Sequence, residues 1–334
     1  MAESLFNKLR KNTVIDKKIL QNSKYFDKDT LVSFDVPILN LAASGTFDGG
    51  LAPGILMIAA PPKHFKSNLM LQAMLAFQKK HKDKENVIIF YDSEFGTPDE
   101  YYSNAGIDIS EGRFDRRPVT TVETFRSDIA NLLNDISVGD NVLICLDSLG
   151  MLASNKEVND AIEGHDKADM TRAKQIKSTF RIITPQLTLK GIPMIVINHT
   201  YQTMDMYPEE VAAGGRGAQY AGHTLWNIGK RQIKEGTELS GFDFVIRIKF
   251  SRYIKEKSEF NLTVTYDNGI ERYSGIFDLA LEHGSIVSEK QGWYLFMGGD
   301  KPLRRSAIEN DKDMMEKLLH DPTFRAKVED SIRL

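Results

Sequence analysis

The chain has 334 residues, long enough for one large domain with appendages or for two domains, and able to bury a substantial core. Apolar residues make up 41% and charged residues 27%, the balance of a soluble globular protein. A net charge of −3 excludes a chain that holds nucleic acid through its overall charge, so any DNA-binding surface has to be local.

The single cysteine, Cys145, sits in an apolar strand-like run and reads as an inert core thiol. The seven histidines are scattered without metal-ligand spacing. No apolar run approaches membrane-spanning length and no cationic start precedes an apolar stretch, so a reducing cytoplasm is expected and no membrane partner is.

Residues 1–30, rich in Lys, Asp and Asn with intermittent apolar positions such as Leu5, Leu9, Ile19 and Phe26, are too few to fold alone. They read as a packed N-terminal helix or as a segment that docks on another molecule. An apolar run, Val36 to Ala42, and a glycine-rich turn, Ser44 to Gly50, lead into Gly54-Ile55-Leu56-Met57-Ile58-Ala59-Ala60, a buried strand by pattern. Then come Pro61-Pro62-Lys63-His64-Phe65-Lys66-Ser67-Asn68 and a segment with helical spacing. Strand, loop and helix in this order form a phosphate-binding P-loop layout: backbone N–H groups face an anion, a lysine reaches the β and γ phosphates, and a serine hydroxyl ligates magnesium. Ala60 and Phe65 stand where the pattern has glycine, and Phe65 predicts either a strained loop or an altered path. By pattern alone, an ordinary strand-to-helix loop with an exposed Lys-Ser fits as well.

Three more apolar strands follow, each ending in polar groups. The run from Val87 ends in Asp92-Ser93-Glu94, where open α/β sheets bind their ligands, and Glu94 is a candidate to orient or deprotonate water. A helical segment, Val122 to Ile136, precedes the run from Val142 to Asp147, whose aspartate can hold magnesium or cap a helix. The run from Pro193 closes on Asn198-His199-Thr200. Between the last two lie a polar stretch without clear periodicity, Asn155 to Ala168, and a basic helix, Met170 to Arg181, that is either solvated or in contact with phosphates. Tyr201 to His223 reads as a long glycine-rich loop. From Thr224, alternating runs at 225–229, 243–252 and 259–266 read as antiparallel strands that extend the sheet. The pattern predicts an α/β fold: a mainly parallel central sheet over residues 31–275, with a small C-terminal lobe at 276–334.

Taken together, the runs Ala60–Asn68, Tyr91–Gly96, Leu146–Gly150, Asp169–Lys174, Ile197–Thr200, Gly229–Lys234 and Ser251-Arg252 with Lys255–Ser258 resemble the RecA-type recombinases, the UvsX-like phage branch in particular. The resemblance runs from near Leu5 to about Tyr294. It implies a RecA-like P-loop ATPase core using ATP and Mg2+, with residues 60–68 cradling the nucleotide. Lys66 and Ser67 would bind the phosphates and magnesium, Asp147 would support the metal, and Glu94 would activate water. Tyr101 falls where the family stacks an aromatic on adenine. His199 would sense the γ-phosphate; phage members carry histidine there and bacterial ones glutamine.

The stretches 155–168 and 201–216 match the family's two DNA-binding loops, with Arg172, Tyr207, Gly214, Gly215 and Arg216 as DNA-contacting candidates. Arg252 matches one of two cations supplied by the neighbouring subunit; Phe250 replaces the other, with Lys249 beside it. The N-terminal segment would dock on the next subunit to build an open helical filament. The implied partners are single-stranded DNA, homologous duplex DNA, further copies of the chain, and single-strand-binding and mediator proteins. The implied place is the cytoplasm of an infected bacterial host. A RecA-fold ring motor, or a filament accessory that binds nucleotide without hydrolysing it, are the alternatives.

Overall fold

A computed structural model describes residues 28–165, 171–202, 210–213 and 222–334. Its centre is a sheet in the order β10-β9-β8-β7-β1-β5-β4-β2-β3. These strands are β1 (Gly54–Ala60), β2 (Val87–Asp92), β3 (Phe114–Pro118), β4 (Val142–Asp147), β5 (Pro193–Gln202), β7 (Thr224–Glu235), β8 (Glu238–Ser251), β9 (Glu259–Thr265) and β10 (Gly269–Ile270), while β6 (Glu210–Ala212) pairs with the end of β5. From β3 to β7 every pairing is parallel, and β7 to β10 extend the sheet by antiparallel hairpins.

The period of two along β1 splits the core. Leu56, Ile58 and Ala60 join one apolar cluster, while Ile55, Met57 and Ala59 join the other, on the opposite face. Helix α1 (Pro37–Ser44) and helix α2 (Lys66–Lys80) cover the first face; α2 buries Leu69, Met70, Ala73, Met74 and Phe77, the stripe a 3.6-residue period predicts. Helix α4 (Val122–Asp135), capped by Thr121 and burying Val122, Phe125, Ile129 and Leu133, covers the second together with α6 (Thr171–Lys190). Between β2 and β3 lies the short α3 (Asp99–Asn104). The C-terminal segment holds α7 (Ile276–Glu282), a three-stranded sheet and three further helices, and its Phe277, Met315 and Phe324 share the first apolar cluster with Ile38 and Phe77. No helix among the described residues is long and apolar enough to cross a membrane.

Two expectations need correcting. The stretch 155–168, polar without clear periodicity and matched to a DNA-binding loop, holds a helix at Asn155–Ile162, α5, opened by a capping box in which Ser154 accepts from the Glu157 N–H and Glu157 accepts from the Ser154 N–H. The basic helix, described from Thr171 with Met170 outside the described residues, runs past Arg181 to Lys190, through Pro185. Strand β3, Phe-Asp-Arg-Arg-Pro, has no apolar run and was not foreseen.

The start of β1 is stapled to the residue that leads into β7. The Ile55 N–H donates to His223 Nδ1 (3.1 Å), which leaves the proton on Nε2 to bond Thr188 Oγ1 (3.1 Å) on α6, while Thr188 donates to the Thr184 carbonyl. The ring occupies the space a side chain would need at Gly54, whose notional Cβ would lie 2.4 Å from it. Burial, with the Arg252 charge adding to it, pulls the His223 pKa down to about 4 from 6.5. Above pH 6.5 neither folded nor unfolded chain is charged there; between 6.5 and 4 only the unfolded chain takes the proton. Stability is therefore expected to fall across that window by on the order of 3 kcal/mol from this group. Urea unfolding measured from pH 7 to pH 4 checks it. His223→Gln should show a shallower slope, though His81, whose pKa burial also lowers to about 4, keeps part of it; an identical slope in the variant would remove His223 as the cause.

Candidate active site

Strands β1, β2, β4 and β5 end at one edge, so the polar residues that close them meet there. Lys66, at the first position of α2, is 6% exposed and donates to the carbonyls of Ala60 (3.1 Å) and Pro61 (2.8 Å). Burial lowers its pKa, and Asp147 and Glu94 oppose that shift. Ser67 donates to Asp147 Oδ2 at 2.6 Å. Burial pushes the Asp147 carboxyl up to about 6, the Ser67 bond working against the shift and the Glu94 charge with it. Glu94 accepts from His199 Nε2 at 2.9 Å; that bond holds the Glu94 carboxyl below the usual carboxylate range, against the effect of burial.

Phe65 takes the left-handed conformation (φ 62°) that glycine ordinarily supplies, and so does Lys63 (φ 62°). The Phe65 ring stacks on Phe244 of β8, centroids 4.7 Å apart, and packs against the core. Lys230 of β7 lies 3.7 Å above the Phe242 ring and donates to the Lys63 carbonyl (3.3 Å), tying the outer loop to the sheet. His64 bonds the Pro62 carbonyl through Nδ1 (2.9 Å).

These residues fit a nucleotide and its metal. No side chain caps the N-terminus of the 15-residue helix α2 and its first turn carries no acidic residue, so the helix end is open to an anion. The Ser67 hydroxyl and the Asp147 carboxylate are hard oxygen donors of the kind magnesium takes, the rest of its shell coming from phosphate oxygens and water. His199 Nδ1 is buried without a hydrogen-bond partner among the described residues, next to the group expected to face the γ-phosphate. Tyr101 on α3 donates to Asn68 Oδ1 (3.1 Å) and is 39% exposed, within reach of a base held over the start of α2.

Arg252 and Lys249 are not at this edge. Thr224 pairs with Ser251 and with Leu56, so Arg252 lies level with the beginning of β1, roughly 20 Å from the P-loop at about 3.3 Å per residue. At that distance Arg252 cannot reach the nucleotide of its own chain, while Lys249 lies mid-strand, level with Met57 and Ile58. Phe250 packs against the second apolar cluster, while Lys249, its neighbour on the strand, is exposed. Arg172 donates to the carbonyls of Leu149, Gly150 and Leu152, so its guanidinium holds the turn that leads to α5. Tyr207, Gly214, Gly215 and Arg216 lie outside the described residues, as does the segment 1–27.

Several groups that matter here carried no role in the sequence reading. Asp92 accepts the N–H groups of Glu94 (3.0 Å) and Phe95 (2.9 Å). Ser93 Oγ and the Ser148 backbone exchange two hydrogen bonds, locking the ends of β2 and β4. Asn198 donates to the Ala213 carbonyl (2.7 Å) and the Ala213 N–H donates to the His199 carbonyl (2.8 Å). At Gly150 a notional Cβ would stand 3.0 Å from the His199 ring, so that glycine lets the ring lie against the turn before α5. Only the capping box at Ser154–Glu157 left a sequence signal that could have been read; the others depend on which strands become neighbours.

No family model matches the chain. Among curated proteins, the recombination and repair protein of Enterobacteria phage T4 is 44% identical over 275 residues, 82% of this chain and 69% of that protein. The RecA protein of Tropheryma whipplei (strain Twist) is 27% identical over 274 residues, 78% of this chain and 59% of its own length, and that of Frankia casuarinae is 22% identical over 328 residues, 93% and 92%.

If Phe244 is what steadies Phe65 in its unusual backbone conformation, Phe244→Leu should weaken nucleotide binding about fivefold, the effect of roughly 1 kcal/mol of released strain. Titration with a fluorescent nucleotide reads it, and unchanged affinity would show that the loop holds its shape without the ring.

Proposed function

The chain belongs to the RecA-type family of ATP-dependent recombinases, and we propose that a triphosphate bound between two subunits makes it grip single-stranded DNA in a helical filament. In that state it pairs the strand with homologous duplex and exchanges strands. The observation that carries this reading is the run of contacts from Glu94 through His199 to Ala213, which ties the carboxylate assigned to the attacking water to the β5–β6 pair, Thr200 against Ala212 and Gln202 against Glu210.

Each side chain has a task. Lys66 places its ammonium against the phosphates, with the α2 N-terminus behind them. Ser67 and Asp147 hold magnesium, which when bound supplies positive charge to the phosphate oxygens. Glu94, fixed by Asp92 and oriented by His199, aligns the attacking water and accepts its proton. Tyr101 covers the base. Arg252 of the neighbouring subunit brings its charge to the γ-phosphoryl group, a role supported by its distance from the P-loop of its own chain. His199 passes the state of the γ-phosphate to both loops, to 201–216 through Ala213 and to 155–168 through Gly150.

Hydrolysis then removes the restraint and DNA affinity falls. Base pairing supplies sequence recognition while the protein holds the backbone, so binding weakens steeply with salt. Residues 1–27 dock on the adjacent subunit, and single-strand-binding and mediator proteins are the further partners of this reading. Family membership favours neither the ring motor nor the non-hydrolysing accessory.

Two experiments test it. ATPase should be stimulated by single-stranded DNA, and Glu94→Gln should lower turnover about 100-fold or more while nucleotide and DNA still bind. Normal turnover in that variant, or no response to DNA, would sink the assignment. Mixing inactive Arg252→Ala with inactive Lys66→Ala subunits should restore roughly a quarter of the wild-type rate, because random head-to-tail neighbours rebuild that share of intact sites. A mixture as inactive as its components would place Arg252 outside the shared site.

A further inference from the structure

Arg116 lies on β3, at the edge of the sheet, with no place in the nucleotide site. Its guanidinium nevertheless holds together the segment that carries Glu94. Nε and Nη2 both bond Asp92 Oδ2, the former at 2.9 Å; Nη2 also donates to the Thr97 carbonyl (2.7 Å) and Nη1 to Asp99 Oδ1 (2.6 Å). The other carboxylate oxygen of Asp92 accepts the backbone N–H groups of Glu94 and Phe95. One arginine thus grips both ends of the 93–98 segment, through Asp92 at one end and through Thr97 and Asp99 at the other.

Packing does not do this instead. The segment borders an open cavity of about 580 Å3, and Phe95, in a left-handed conformation (φ 54°), leaves its ring 54% exposed. The Asp92 side chain is only 5% exposed and stands beside Asp147 in the strand register, with Glu94 two residues on. Three carboxylates in so small a space repel one another, and a buried carboxylate without a partner would protonate or move. Arg116, itself 24% exposed and seated 5.6 Å from the centroid of the buried Tyr102 ring, supplies the compensating charge in a fixed fork that lysine cannot reproduce.

We propose that Arg116 is a positioning residue for hydrolysis: acting through Asp92, it fixes the backbone from which Glu94 reaches the attacking water. The proposal rests on the assignment of Glu94 as the base. All four hydrogen bonds of the Arg116 guanidinium among the described residues go to protein groups of the 92–99 segment, so its loss is expected to change the rate of the chemical step and to leave nucleotide affinity in place.

The test uses the full chain, with DNA-stimulated ATPase and fluorescent-nucleotide affinity measured side by side. Arg116→Gln should lower kcat about 30-fold, as a displacement of under an ångström at a reacting group does, with nucleotide affinity within about threefold of wild type. Arg116→Lys, which returns the charge without the fork, should recover part of the loss. In a Glu94→Gln background, adding Arg116→Gln should lower the residual rate by less than about threefold, because the two residues act as one unit. Wild-type kcat in Arg116→Gln beside a dead Glu94→Gln overturns the proposal. So do fully multiplicative effects in the double variant, or a fall in nucleotide affinity that matches the fall in rate. Normal turnover in Glu94→Gln is a separate result: it removes the base, and the positioning role with it.

Discussion

The hydrogen bond between His199 and Glu94 is the contact on which the rest depends. It joins Glu94, the base of the proposed reaction, to β5, whose end pairs with β6 among the described residues. Both side chains are partly exposed, 29% for His199 and 40% for Glu94, so the pair does not weigh as a buried ion pair would. A hydrogen bond to a charged group contributes roughly 1.5–3 kcal/mol. Coupling free energies between sites fall in about the same range.

The phosphate loop shows how a departure from the usual pattern is accommodated. A phenylalanine in the left-handed region costs on the order of 1–3 kcal/mol. Its ring recovers much of that by stacking on Phe244 and covering the core, where a glycine would leave a gap. Lys230 adds a bond to the Lys63 carbonyl from the same strand pair. Sheet and loop are therefore coupled through side chains in this chain, and the backbone conformation expected of glycine is reached without it. The buried Lys66 ammonium stays within reach of compensation by Asp147 and Glu94; burial, with the Glu94 charge adding to it, is what raises the Asp147 pKa.

What could be read from the sequence follows from where each element gets its stability. Strands β1, β2, β4 and β5 are buried on both faces, so each is an apolar run that announces itself, and the polar residues that end them were found with them. Strand β3 has a partner on one side only and is held by ion pairs: Arg116 with Asp92 and Asp99, Arg117 with Asp115 and Asp128. Its charges look like a solvated turn until β2 lies beside it, so the sequence offers no sign of Arg116 or of its pairing with Asp92. Helix α5 buries none of its residues, and its short apolar pair, Val158 and Ile162, stays exposed; its cap is the clearer sign in the sequence. Arg172 reads as a free cation until the turn at 149–152 presents three carbonyls to it.

The two ends of the glycine-rich stretch hang on different parts of the molecule. At 213 the chain is bonded to Asn198 and His199, beside the nucleotide site of its own subunit. At 223 it is bonded to the start of β1 and, through the His223 carbonyl, to the N–H of Arg252, which lies at the opposite edge of the sheet. The chain between these two points therefore joins both edges. If Arg252 serves a neighbour's nucleotide, one segment connects two successive triphosphates, and a closed pair of subunits could not satisfy it: the group that gives and the pocket that receives lie on opposite edges, which is the geometry of a head-to-tail series.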